Sequence, residues 1–156
     1  INKEINKMKK VLILISTLSF AFSGTMYMAY DFDETENVTL GYNHIFKTWT
    51  CEKTGKPCWI LAGGANYDIV ADNVGFAGAY VLPMKPVTEK MAVWASLGFS
   101  TVTEGDMDGG LTYGLGVHYY LNETCGVGLG MVNHDWEMGN TEDTLEKMNL
   151  NFSYKF

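Results

Sequence analysis

Met148-Asn149-Leu150-Asn151-Phe152-Ser153-Tyr154-Lys155-Phe156 carries an apolar or aromatic residue at every even position and a polar one at every odd position. Successive side chains of a strand point to opposite faces, so this order describes a strand between two different environments. A helix, with its 3.6-residue period, does not produce it. The pattern recurs upstream. Leu111, Tyr113, Leu115, Val117, Tyr119 and Leu121 oppose Thr112, Gly114, Gly116, His118 and Tyr120. After the Asn122-Glu123-Thr124 turn, Val127, Leu129 and Met131 oppose Gly126, Gly128 and Gly130. Met91, Val93, Ala95, Leu97 and Phe99 alternate with Ala92, Trp94, Ser96, Gly98 and Ser100, and Met26, Met28, Tyr30 and Phe32 alternate with Tyr27, Ala29, Asp31 and Asp33. Val38, Leu40, Tyr42 and Phe46 alternate with Thr39, Gly41 and Asn43, interrupted where His44 falls on the apolar side and Ile45 on the polar side. Trp59 to Tyr67 and Val74 to Leu82 are weaker, because Ala and Gly occupy both faces.

Eight strands are therefore expected, near 26–33, 37–47, 58–68, 73–82, 89–102, 110–121, 125–134 and 146–156. An even number of strands of about ten residues, joined by short connections, suits a small antiparallel up-and-down barrel whose closure leaves no free edge. The composition says which way round it is. A soluble barrel turns its bulky apolar face inward, and a membrane barrel turns it outward. Here the second face is rich in Gly, Ser, Asn and Thr. Gly114, Gly116, Gly126, Gly128 and Gly130 would weaken strands on a water-facing surface, but they suit the narrow interior of an eight-stranded barrel. The expected fold class is all-β, a transmembrane barrel with a small, polar lumen. Tyr27, Phe46, Trp59, Tyr80, Phe99, Tyr119, Trp136 and Phe156 lie near strand ends, where interfacial aromatic girdles are expected.

The chain has 156 residues, enough for one domain, and a formal charge of −7 that makes nucleic acid a poor partner. Lys3, Lys7, Lys9 and Lys10 precede an apolar run from Val11 to Phe22. That run is too short to span a bilayer as a helix, but it fits the apolar region of a secretory signal peptide. Ala21 and Ser23 are the small residues of a cleavage site before Gly24, and Ser19 and Ala21 offer an earlier one. Met8 opens this signal, so Ile1 to Lys7 are read as upstream sequence. The expected domains are thus 1–23, cleaved, and 24–156, the barrel. Without 1–23 the chain keeps 7 basic and 17 acidic residues, net −10.

All three cysteines follow the signal, at 51, 58 and 125. Cys51-Glu-Lys-Thr-Gly-Lys-Pro-Cys58 is a polar loop with turn residues, and in an oxidising compartment its ends are expected to form a disulfide worth about 2 to 3 kcal/mol. A zinc site lacks its third and fourth ligands. Cys125 is expected as a small apolar residue on a strand face.

Taken together, the signal peptide, the alternating strands, the Gly-rich Leu111 to Leu129 hairpin and the final Phe156 resemble the small eight-stranded outer-membrane proteins of the outer-membrane protein A-like or opacity type. The resemblance implies an outer-membrane location, with Phe152, Tyr154 and Phe156 as the terminal signal read by the barrel-assembly machinery. It also implies contact with outer-membrane lipid and lipopolysaccharide. With Phe156 in the periplasm, segments 135–145, 103–109 and 69–72 become outer loops, while 122–124 and 83–88 become inner turns. The Cys51 to Cys58 loop then falls on the periplasmic side, where such barrels have tight turns. Either the first three strands are misplaced or this barrel carries a disulfide-closed periplasmic loop.

Chemical motifs are sparse. His44, His118 and His134 lack metal-ligand spacing, and His118 is expected as a hydrogen-bonded lumen residue. No Gly-x-Ser-x-Gly element and no phosphate loop occurs. Gly126-x-Gly128-x-Gly130 lies inside a strand with no helix after it, unlike a nucleotide loop. Neither cofactor nor metal is expected. Glu104, Asp106, Asp108, Asp135, Glu137, Glu142 and Asp143 are read as solvated acidic outer loops, available to a surface ligand or to divalent cations bridging to lipopolysaccharide. The expected role is non-enzymatic, in envelope integrity or adhesion. The alternatives are a lipid-modifying enzyme or narrow pore in the outer membrane, and a soluble secreted barrel with an apolar ligand inside.

Overall fold

A computed structural model describes residues 24–32, 37–69, 75–103, 108–138 and 140–156. The leader read at 1–23, and Glu104 and Asp106 of the acidic segment, lie outside the described residues. Eight strands follow in order: β1 (Thr25–Asp31), β2 (Val38–Thr50), β3 (Pro57–Ile69), β4 (Gly75–Pro86), β5 (Met91–Val102), β6 (Asp108–Tyr120), β7 (Cys125–Met138) and β8 (Thr141–Lys155). Each pairs antiparallel with its sequence neighbours, and β1 closes on β8 with Met28 opposite Phe152. No helix among the described residues is long and apolar enough to cross a membrane; the strands of a closed barrel satisfy every ladder hydrogen bond without one.

The alternation is realised inside out. On β8, Leu150 and Phe152 are 52% and 50% exposed, while Asn149 and Ser153 are each 6% exposed. Across the barrel, Leu97, Leu115, Leu129 and Met131 are likewise exposed on the outer face, and Thr39, Asp68, Ser100 and Thr112 are buried inside. An apolar belt surrounding a polar interior is the arrangement of a barrel whose outer solvent is hydrocarbon.

The interruption on β2 is one of residue type and not of facing, and the strand bulges just after it. Ile45 pairs with Ala62 and Lys47 with Leu61, so Phe46 is an extra residue in a bulge. Ile45 reaches the lumen mouth, and His44 packs outside against Phe46 with ring centroids 5.6 Å apart. The lumen glycines make room for large neighbours rather than lining empty space. A Cβ on Gly116 or Gly130, which pair across β6 and β7, would lie 2.5 Å from the Trp94 indole, and one on Gly126 would meet the His118 ring. Gly116→Val is therefore expected to displace Trp94 and cost about 1–3 kcal/mol. Guanidinium unfolding of the barrel in detergent checks this.

Three expectations change. Residues 135–138 and 141–145 are strand rather than loop, because β7 and β8 pair from Asp135↔Thr144 out to Met138↔Thr141. Asp108, Asp135, Glu137, Glu142 and Asp143 thus lie on strands, and Asp108, Glu137 and Glu142 stand in one cross-strand row. Tyr27 and Tyr80 are not girdle residues: both face the lumen, where the Tyr80 hydroxyl donates to Asn43 Oδ1 at 2.7 Å and accepts from the Tyr27 hydroxyl at 2.9 Å. Strand limits shift as well, at the start of β8, which begins at Thr141, and at the end of β4, which extends to Pro86.

The disulfide is present, joining Cys51 and Cys58 with Cα atoms 5.4 Å apart. Its loop sits at the same end as Gly24 and Phe156, and β2 and β3 flank it at Val38–Thr50 and Pro57–Ile69, so the first strands are not misplaced. Below it, Trp49 and Trp59 pair across β2 and β3 on the outer face, with the Lys47 ammonium 5.0 Å from one ring and the Lys85 ammonium 5.6 Å from the other. Aromatic residues flanked by lysines suit the bilayer interface. Lys56 of the loop pairs with Glu89 in the β4–β5 turn and holds its carboxyl below the usual carboxylate range. Cys125 is free and half-buried at the start of β7. Non-reducing mass spectrometry is expected to find Cys51 linked to Cys58 and only Cys125 alkylated.

Candidate functional site in the barrel lumen

The polar interior concentrates in one layer near the end of the barrel remote from Gly24 and Phe156. Inward positions of β1, β3, β5, β7 and β8 contribute Asp31, Asp68, Ser100, His134 and Lys147, all at most 3% exposed. Lys147 Nζ lies 2.7 Å from Asp68 Oδ2 and 3.4 Å from Asp31 Oδ2. His134 Nε2 lies 3.0 Å from the same Asp68 oxygen, and its Nδ1 lies 3.2 Å from Ser100 Oγ. Asn66 donates to the other Asp68 oxygen at 3.1 Å, and Phe76 stacks on the imidazole at 5.4 Å. Asp68 is thus the hub of the layer, with three side chains converging on its carboxylate.

Read in the direction Ser100, His134, Asp68, this is the hydroxyl, imidazole and carboxylate chain of a nucleophilic hydrolase. Three features oppose that chemistry here. Ser100 has no exposed surface. The imidazole is reversed from the usual order, with Nε2 toward the carboxylate and Nδ1 toward the hydroxyl. The carboxylate that would stabilise an imidazolium is already held by Lys147. The layer is better suited to holding five strands in register than to attacking a substrate.

His118 takes the expected position. It faces the lumen toward the opposite end, with Nε2 3.2 Å from Ser153 Oγ, and packs edge-on to Tyr120. Phe152, Tyr154 and Phe156 all point outward, 50%, 52% and 39% exposed, so they are presented to whatever surrounds the barrel. No group of His, Cys, Asp or Glu among the described residues has the geometry to hold a metal ion. The lumen layer was not found as a unit in the sequence, because its members are spread from 31 to 147. The signal was nonetheless there: Asp31 and Ser100 were already assigned to the small, polar face.

No protein-family model matches the chain, and no curated protein matches it significantly. Solved structures do match. The outer membrane enzyme PagL superposes with a TM-score of 0.64 at 12% identity, over 86% of this chain and 99% of that one. A de novo designed transmembrane β-barrel gives 0.55 at 16% identity, covering 85% and 92%. Ail of Yersinia pestis, in a phospholipid nanodisc, gives 0.53 at 12%, covering 86% and 99%. The chain has the fold of the eight-stranded outer-membrane β-barrels. At these identities the likeness speaks for the fold, and the apolar belt independently calls for a bilayer around it.

Proposed function

We propose that the protein is a non-enzymatic barrel of the outer membrane, of the outer-membrane protein A-like or opacity type, with a structural or surface-interaction role. The observation that carries this reading is the sealed lumen layer. Its one hydroxyl, imidazole and carboxylate chain is inaccessible at Ser100 and electrostatically satisfied at Lys147. A body cross-linked internally in this way meets macromolecular partners at its rims and its belt. Asp108, Glu137 and Glu142 form a row of exposed carboxylates at the rim away from the chain ends, suited to cationic groups of a surface ligand. Phe152, Tyr154 and Phe156, outward on the last strand, fit recognition by the assembly machinery.

The same Ser100, His134 and Asp68 contacts, on a fold shared with an enzyme, favour the second reading, an outer-membrane lipid hydrolase. One experiment separates the two. Fluorophosphonate treatment of the folded barrel in detergent is expected to leave Ser100 unlabelled; labelling that disappears in Ser100→Ala would establish the enzyme and overturn the structural reading. For the surface role, Asp108→Asn, Glu137→Gln and Glu142→Gln combined are expected to reduce retention of a polycationic peptide by the reconstituted barrel. Retention equal to the parent protein counts against the acidic row.

A further inference from the structure

Between the Lys147 layer and the end that carries Gly24 and Phe156, the lumen is not filled. A cavity of about 680 Å³ occupies it and opens at the rim among Glu89, Lys90, Glu123 and Lys155. That volume lies within the usual range for small-molecule sites, of which barrel mouths are a common location. The wall has two unlike sides. Toward the rim, Ile45, Ile60, Leu82 and Met84, from β2, β3 and β4, form an aliphatic strip that Trp94 of β5 continues, and nearer the floor the same three strands turn polar at Asn43, Asn66 and Tyr80. Opposite, β8 presents Asn149, Asn151 and Ser153. Water suits the amide side but gains nothing against the aliphatic strip, where each Å² left wet forgoes about 25 cal/mol.

We propose that this cavity takes the acyl chain of a zwitterionic monoacyl phospholipid, inserted tail first from the open rim. The closed floor fixes the direction of entry. Lys147 is already held by two carboxylates, so an anionic head entering first would meet no unpaired cation. Between floor and rim the wall carries no Asp, Glu, Lys or Arg, as a tail requires. The rim offers both signs of charge: Lys90 and Lys155 for a phosphate, Glu123 for an ammonium. A lumen enclosed by eight strands has room for one chain, which selects a monoacyl over a diacyl lipid. The tail lies along Ile60, Leu82 and Met84, and the amide side keeps its waters. This goes beyond the surface role proposed above and needs the bilayer only as the source of lipid.

Trp94 in the wall reports occupancy. The protein purified from its membrane, carrying Trp49→Phe, Trp59→Phe and Trp136→Phe, is placed in diacyl phosphatidylcholine nanodiscs. It is then titrated with lysophosphatidylcholine brominated on its acyl chain. Trp94 emission is expected to fall about two-fold or more, saturating at one lipid per barrel, as befits a single enclosed site. Brominated diacyl phosphatidylcholine, and a brominated fatty acid carrying the anionic head alone, are expected to quench far less. Ala62→Phe, which fills the cavity, and Ile60→Asn, which breaks the aliphatic strip near the rim, are each expected to abolish saturable quenching. If the first does not fold, the second decides. An inserted, heat-modifiable barrel with no saturable quenching overturns the lipid site, as does equal quenching by the diacyl lipid. Failure of the protein to insert at all instead overturns the membrane reading.

Discussion

Lys147→Ala is expected to destabilise the barrel by about 3–5 kcal/mol, because it leaves Asp31 and Asp68 facing each other in the interior without their shared cation. The measurement is the guanidinium or urea midpoint of the refolded barrel in detergent, read by heat-modifiable migration. A control distinguishes loss of the ammonium from loss of bulk. Lys147→Met keeps most of the volume and should be nearly as damaging alone, whereas adding Asp31→Asn and Asp68→Asn should restore much of the stability by removing the charges the lysine served. If Lys147→Met alone matches the parent, the layer is not held by its ion pairs and its role as an internal clasp is wrong.

Leu115→Arg is the second large effect. Leu115 is 64% exposed near the middle of β6, and on a water-soluble protein such a substitution would change stability by no more than a few tenths of a kcal/mol. On a barrel embedded in lipid the same arginine near mid-depth costs about 2–4 kcal/mol. Reversible unfolding from phospholipid vesicles measures the difference. Lys56→Met, in the loop outside the belt, serves as a matched surface change and should stay close to neutral, since the pair it makes with Glu89 is solvent-exposed. Equal, small effects at both positions would remove the bilayer from the account of this fold.

The sequence carried the architecture in its period-two stretches, and most clearly where one face was uniformly apolar, as from Met148 to Phe156. Reading was weakest where both faces were small. Around Ala77, Gly78 and Ala79, alternation carries little size contrast, so the limits of β4 depended on partner strands that only the folded barrel supplies. The tip of the β7–β8 hairpin was read as a loop because Asp, Glu and Thr dominate it; its strand character comes from the ladder with its neighbour, which propensity does not encode. Lumen chemistry was half legible. Alternation assigns each residue to a face, and so it put His118 and Ser100 inside, but it does not say which inward residues share a height. Height depends on strand tilt and stagger, and it was these that brought Asp68 to Lys147 and His134. The girdle assignment of Tyr27 and Tyr80 failed for a related reason. A large aromatic side chain at an inward position is tolerated where a glycine, here Gly41 beside Tyr27, leaves the space for its ring.

Asp31 and Lys147 belong to β1 and β8, the two strands whose pairing completes the cylinder. Until that seam shuts, the two groups are on opposite ends of an open sheet and remain hydrated. Their contact is therefore among the last events of assembly, and it acts as a latch thrown after the wall is built. A latch of this kind governs how long a finished barrel lasts rather than how quickly one forms. Substitutions at Lys147 are accordingly expected to accelerate unfolding while leaving the folding rate nearly unchanged, the signature of an interaction absent from the transition state.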